Sequence, residues 1–356
     1  MLVQTYYPQR LSPSRYDMFL ASGWFRGSVM LYKMDLLCLD KEIYSVVNIR
    51  LNLDRFSLRK SQRKIVKKVE ERFHIKISHA FPNEQKELLY QQQKHKFQGF
   101  IHPTLSDYLN SSLPSSVFDT REVCVYDGER LVAVSFFDLG ERSMASLLCL
   151  YDASYSMYSL GVYTMLKEVD FGIKKGMKWY YPGYVLDSDS GFNYKLRLGD
   201  FEYYNSNKSW ANFENFDSEE SIGRLFKRKM ARLKELFDQL GVTYNYTLYP
   251  FFSMGYVGFW SVEFVKFPGF YELSTEEDET KLIVSFDLDN QVYVVSKAVF
   301  ASSYDHLVNM EVSEDFAQSD KYLMRLLMIS EDMAVENDAV SIIGWLTQKQ
   351  LIKIED

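Results

Sequence analysis

The chain has 356 residues, 25% charged and 47% hydrophobic, and 48 Asp and Glu outweigh 41 Lys and Arg to give a formal net charge of −7. This balance suits a globular protein of one large or two smaller domains and argues against nucleic-acid attraction by the whole surface. No run approaches the roughly 20 apolar residues of a membrane span, the N-terminus lacks a basic-then-apolar leader pattern, and Cys38, Cys124 and Cys149 make no CxxC, which fits a reducing cytoplasm.

The first local feature in chain order is basic. The stretch RLNLDRFSLRKSQRKIVKKVEER, residues 50–72, holds nine Lys and Arg against Asp54, Glu70 and Glu71. Within it, residues 57–73 predict an amphipathic helix with Ser57 or Ser61 as cap and Ile65, Val66, Val69 and Phe73 inward. Its other face is either a solvated charge run or a polyanion contact. Helices are expected over 84–95 and within 105–113, ahead of Pro114. Three strands follow at 121–126, 131–140 and 145–152, the first two joined by the turn Asp127-Gly128.

The third strand runs into YDASYSMYSLGVYTMLKEV, residues 151–169, which gathers Tyr151, Asp152, Tyr155, Tyr158 and Tyr163 around Ser159-Leu160-Gly161. Ser159 can cap a helix with Val162, Leu166, Val169 and Ile173 inward and Gly176 as its stop, and a further strand is expected over 177–185. A helix that starts at the end of a central strand points free N–H groups outward, so a ligand site is expected there. Past residue 215, the pattern predicts a helix over 222–241, strands at 270–274, 281–288 and 291–300, a loop at 274–280, a helix over 322–337 and a polar tail. Phosphate-loop, GxGxxG, HExxH and GxSxG patterns are absent. The five histidines have no metal-ligand spacing, so no metal site and no cofactor are expected.

Several separated segments, in order, resemble one family. These are TYYP (5–8), Gly23-Trp24-Phe25-Arg26 with Leu31-Tyr32-Lys33, Ile49-Arg50-Leu51 with Ser61-Gln62-Arg63-Lys64, and Leu89-Tyr90 with Lys94-His95. They continue through the 151–169 stretch to Tyr181-Pro182-Gly183-Tyr184 and Asn193-Tyr194-Lys195. Over roughly residues 1–210 the chain resembles the aminoacyl-tRNA–protein transferases of the N-degron pathway, the arginyl-tRNA–protein transferases and the bacterial aspartate/glutamate leucyltransferases. It departs from them in lacking their N-terminal cysteines, in YDA for YDP and in YPGY for YLGY.

The resemblance implies an α/β (α+β) acetyltransferase-like (GNAT) fold, with a mixed, mainly antiparallel sheet, flanking helices and a C-terminal extension. The implied organisation is an N-terminal region with the basic helix (1–75), a transferase core (76–215) and an extension of unassigned role (216–356). The implied reaction moves arginine or leucine from a charged tRNA to the N-terminal α-amine of an acceptor protein in the cytoplasm. Since the ester is already activated, the protein has only to align two large substrates and handle a proton and an oxyanion. In this reading Asp152, Tyr151, Tyr184 and His95 are catalytic, with Arg59, Lys60, Gln62, Arg63, Lys64 and Lys67 on the tRNA. Tyr181, Asn193, Tyr194, Lys195, Ser159 and Gly161 contact the substrates. For the tyrosines the alternative is a core phenol, and for Asp152 a helix cap. Two other readings are a non-catalytic tRNA- or peptide-binding homologue and a GNAT-type acyl-CoA N-acyltransferase.

Overall fold

The three central strands do form an antiparallel meander, and the rest of the sheet grows from it. In this computed structural model residues 1–109, 117–257, 262–274, 279–307 and 311–352 are described. The N-terminal part runs β1 (Val3–Tyr6), α1 (Pro13–Ala21), β2 (Phe25–Gly27), β3 (Met30–Met34), β4 (Leu36–Leu39), β5 (Glu42–Asn52), α2 (Lys60–Glu70) and β6 (His74–His79). There follow α3 (Glu84–Gln93), β7 (Phe100–Ile101), α4 (Leu105–Leu109), β8 (Asp119–Asp127), β9 (Arg130–Leu139), β10 (Ser143–Tyr151) and α5 (Leu160–Lys174). The middle closes with β11 (Trp179–Tyr181), β12 (Tyr184–Leu186), β13 (Phe201–Tyr204) and β14 (Trp210–Asn212). The C-terminal part is α6 (Ile222–Gln239), β15 (Asn245–Leu248), β16 (Gly269–Glu272), β17 (Thr280–Asp287), β18 (Val292–Phe300), β19 (Glu311–Val312), α7 (Glu314–Gln318), β20 (Leu327–Glu336) and α8 (Ala339–Gln348).

The main sheet has the order β14-β13-β5-β11-β10-β9-β8-β6. All its pairings are antiparallel except β10 with β11, which are linked through α5 as a parallel crossover requires. This is a mixed α/β sheet of acetyltransferase-like (GNAT) topology: a meander, a helix leaving the central strand, and a strand returning parallel to it. On one face α2 and α5 bury Val69, Phe73, Leu160, Tyr163, Leu166 and Val169. The other face is covered by α3 and α4 through Leu89, Tyr90, Leu105 and Leu109. A second sheet, β15-β16-β17-β18-β20, carries α6 and α8, and its core takes in Leu2, Val3, Leu36, Cys38 and Ile43 from the N-terminal strands. No helix among the described residues is long and apolar enough to cross a membrane.

Several expectations are corrected. Residues 327–336 form strand β20, not part of a helix, because pairing with β18 overrides the helix-forming Leu, Met, Glu and Ala of that segment. The presumed polar tail holds α8, which buries Ile342, Ile343 and Leu346. Arg59, rather than a serine, precedes the first turn of α2, and its backbone N–H donates to Gln62 Oε1 at 2.8 Å. In α5, Ile173 is exposed and Gly172 faces the sheet, where a Cβ would meet Met144 Sδ at 2.5 Å. The strand expected over 177–185 is broken into β11 and β12 at Pro182, which has no N–H to donate. The loop expected at 274–280 and the helix within 105–113 fall partly outside the described residues.

Candidate active site

The parallel pairing of β10 with β11 ends at Ala145 opposite Tyr181. Beyond that point β10 bulges, with a register shift between Ser146 and Leu148, while β12 pairs with β5 instead. A bulge takes one residue out of the ladder and re-aims its neighbours. The two strands therefore part, and a cleft of about 630 Å³ opens between residues 146–149 on one side and 182–195 on the other. Met165 of α5, Tyr32, Tyr44, Tyr90, His102 and Tyr108 complete its walls, with Lys96, Asp40 and Asp189 as charged groups. A side pocket of about 200 Å³ adjoins it and shares Tyr32, Tyr108, Ser146, Tyr184 and Lys195. Its remaining wall is mostly apolar, with Leu20, Trp24, Phe25, Ile49, Tyr181 and Trp210.

Lys195 stands where the two spaces meet. Its Nζ donates to the Tyr184 carbonyl oxygen at 2.9 Å and lies 5.2 Å from the ring centroids of both Tyr184 and Phe192. Burial pulls its pKa down to about 8, so that a modest change in surroundings decides its charge near neutral pH. Gly183 makes room for it: its φ of +93° is open to glycine, and a Cβ there would sit 3.4 Å from Lys195 Nζ. Burial raises the phenol pKa of Tyr184 and Tyr108 and pushes that of Tyr32 up to about 12, while Tyr194 is exposed, and all four phenols are hydrogen-bond donors at neutral pH with or without such a shift. Burial lowers the pKa of the His102 imidazole, which favours its neutral form.

Of the expected site residues, Tyr184, Tyr194 and Lys195 line the cleft and Tyr181 lines the side pocket. Asn193 stands behind the rim, its amide donating to Asp189 Oδ1 at 2.9 Å. His95 is exposed on the turn 94–96 and is not a lining residue, whereas its neighbour Lys96 is. Asp152, Tyr151, Ser159 and Gly161 are likewise outside the lining. Asp152 caps the turn 153–158, accepting from Ser154 N at 2.9 Å and Ser154 Oγ at 2.7 Å, and is ion-paired with Arg130. The Ser154 hydroxyl, the Ser154 amide and Arg130 together hold its carboxyl below the usual range against modest burial. Tyr155 donates to Asp127 Oδ2 at 2.9 Å, Tyr158 packs edge-on against Phe73 beneath Lys68, and Tyr163 is buried between α2 and α5. The phenols of the 151–163 stretch thus dock the basic helix onto the sheet. Ser159, at φ +53°, starts α5 without a side-chain cap.

On α2, Lys60, Arg63, Lys64 and Lys67 are exposed, and Arg59 reaches Asp200 Oδ1 at 2.7 Å. Gln62 is different. It is 3% exposed and its amide donates to the carbonyls of Arg197 and Leu198 at 3.0 and 2.7 Å. It faces the protein rather than a phosphate and ties the basic helix to the segment that carries Tyr194 and Lys195. Sequence reasoning did not single out Ser146, His102, Lys96, Tyr108 or Phe192 as site residues. They come from strand and loop positions with no local pattern of their own. The clue in the sequence was the proline after β11, which forbids continued pairing and forces the strands apart.

Residues 73–205 match the family described as arginine-tRNA-protein transferase, C terminus. The chain is 25% identical over 193 residues to the aspartate/glutamate leucyltransferase of Vibrio cholerae serotype O1, covering 54% of this chain and 80% of that protein. The corresponding protein of Leptospira interrogans is 26% identical over 211 residues, covering 54% and 79%. Among solved structures, L-PGS from Bacillus licheniformis is 15% identical with a TM-score of 0.31, covering 52% of this chain and 54% of that one. The C-terminal domain of a putative lysylphosphatidylglycerol synthetase from Agrobacterium fabrum is 12% identical with a TM-score of 0.29, covering 40% and 47%. The chain spans about half the length of each of these two structures.

Proposed function

We propose that the protein, whose residues 73–205 match the arginine-tRNA-protein transferase family, transfers an aminoacyl group, leucyl or arginyl, from a charged tRNA to the N-terminal α-amine of an acceptor protein in the cytoplasm. The observation that carries the proposal is the cleft at the parting of β10 and β12. It is large enough for an aminoacyl ester and an amino terminus together, and one wall is tied by Gln62 to an exposed basic helix. Arg63, Lys64 and Lys67, with Lys60, neutralise tRNA phosphates along that helix. Tyr184 and Tyr194 orient the ester and the acceptor, and Lys195 steadies the oxyanion as the amine adds to the carbonyl. Asp152 is assigned to capping and to its ion pair with Arg130, not to substrate contact. Residues 1–75, 76–215 and 216–356 are taken as basic-helix region, transferase core and accessory extension. The test is transfer from radiolabelled leucyl- or arginyl-tRNA to peptides beginning with Asp, Glu, Lys or Arg. Label on a peptide supports the proposal and names both specificities, and tRNA binding with no labelled peptide under any pairing contradicts it.

A further inference from the structure

Glu168 is a fully buried carboxyl on α5 that lines neither the cleft nor the side pocket. It is 0% exposed, its Oε2 accepts from the equally buried Tyr180 Oη at 2.7 Å, and its Oε1 has no hydrogen-bond partner among the described residues. The hydroxyls of Ser135 on β9 and Ser146 on β10 are near enough to favour its charged form, but neither is hydrogen-bonded to it here, so a relay through Ser146 needs a turn of that hydroxyl toward the open Oε1. Of these three hydroxyl neighbours, Ser135 and Tyr180 are sealed in the core, while Ser146 lines both the cleft and the side pocket. The titratable groups that face Glu168 are Tyr180 from β11, Cys149 from β10 and Tyr194 from the turn 193–197, and none of them is a cation. A buried carboxyl without a countercharge is costly to keep for packing alone, so its chemistry invites a role.

We infer that Glu168 is a positioning residue that stores the travelling proton of the reaction, exchanging it with the cleft through the Ser146 hydroxyl. The inference rests on the aminoacyl-transfer reading. The incoming α-ammonium first loses one proton to solvent. Its nitrogen then bonds to the ester carbonyl carbon, and the proton left in excess on nitrogen passes to Ser146 Oγ as Ser146 passes its own to the Glu168 carboxylate. On collapse the bond from carbon to the ribose oxygen breaks, its electron pair leaves with that oxygen, and the oxygen takes the proton back along the same path. One proton has moved from nitrogen to oxygen, and Glu168 ends as it began. Burial raises the carboxyl to about 7, within reach of both ionisation states near neutral pH.

The test is single-turnover transfer across pH 5.5 to 9 with wild type, Glu168→Gln, Ser146→Ala and Ser146→Thr, alongside the infrared carboxylic-acid band of wild type and Glu168→Gln. The wild-type rate is expected to rise with pH through about 7. Glu168→Gln and Ser146→Ala lose that limb and roughly a hundredfold in single-turnover rate with the tRNA concentration for half-maximal rate unchanged, a loss at the low end of proton-transfer catalysis, and Ser146→Thr restores much of it. The band that belongs to Glu168 is expected to fade as pH rises from 6 to 8 and to be missing in Glu168→Gln. A Glu168→Gln protein that folds and keeps the wild-type profile overturns the proton store and leaves the transferase reading standing. Absence of the band overturns it whatever the activity. A wild-type protein that shows the band but transfers nothing removes the transferase reading, and the store falls with it.

Discussion

Arg26 lies in the segment Gly23-Trp24-Phe25-Arg26, and its removal is the sharpest test of how the site is held. Its guanidinium is enclosed: Nη1 donates to Asp138 Oδ1 and Thr120 Oγ1, both at 2.8 Å, Nη2 to the Leu109 carbonyl at 2.8 Å, and Nε to the Ser28 carbonyl at 2.9 Å. It also lies 4.2 Å over the Phe118 ring. One side chain thus ties β2 to β8, β9 and the end of α4 beside the side pocket. Asp138 is 0% exposed, and without Arg26 its carboxylate keeps, among the described residues, Thr120 at 2.6 Å and Tyr16 at 3.2 Å as side-chain donors. Truncation of one partner strands the other charge in the interior, so Arg26→Met is expected to cost about 3–5 kcal/mol. Asp138→Leu strands the guanidinium and is expected to cost a similar amount, whereas the double variant removes both charges and recovers most of the loss. Urea unfolding at pH 7 reads all four corners of the cycle. If Arg26→Met loses less than about 1 kcal/mol, or if the two single losses simply add, the buried tie is not what holds these elements together.

Glu168 and Lys195 give pH dependences of opposite sign. The folded-state pKa of Glu168 is raised from the ordinary 4.5 to about 7, so the native state holds a proton that the unfolded chain gives up. Stability should fall as pH rises between those two values, by about 3 kcal/mol at full effect, and Glu168→Gln should flatten that fall in urea titrations. Lys195 is lowered from 10.5 to about 8, so stability should rise as pH climbs from about 8 towards 10.5, and Lys195→Met should abolish the rise. Charge reversal at Arg63 and Lys64 should weaken tRNA binding and make its salt dependence shallower by about one phosphate contact per residue replaced, with no change in unfolding midpoint. Gln62→Ala, on a side chain that faces the protein and not a phosphate, should instead lower stability by about 1–3 kcal/mol because a buried and a part-buried carbonyl lose their donor.

The parts of this protein that were legible in the sequence are those written locally. The Asp127-Gly128 hairpin, the helix after Ser159 and the amphipathic α6 carry their turn residues and periodicity in short windows, and all three are found. Strand β5 pairs with β4, β11, β12 and β13 and forms the spine between the N-terminal strands and the central meander, yet it reads as an unremarked stretch of mixed residues. Apart from its hairpin neighbour β4, its position is fixed by partners more than a hundred residues away. Strand β20 was misread for the same reason, since helix-forming residues were recruited to a sheet edge. At the site, tyrosines were visible but their destinations were not. Those of the 151–163 stretch hold α2 on the sheet, and those of 181–194 face the open space. A phenol packed against a helix and a phenol lining a cleft look alike until the chain folds.

The central claim is that chemistry occurs where β10 and β12 part, and one comparison tests it most directly. Wild type, Lys195→Met and Asp152→Asn would be assayed side by side for transfer of label from charged tRNA to acceptor peptides, with tRNA binding measured in parallel. Lys195→Met is expected to lose roughly a hundredfold in rate while still binding tRNA, as removal of an oxyanion donor does, and Asp152→Asn to keep most of the wild-type rate. Full activity in Lys195→Met, or its loss in a folded Asp152→Asn protein, would move the reacting centre out of the cleft and back to the start of α5.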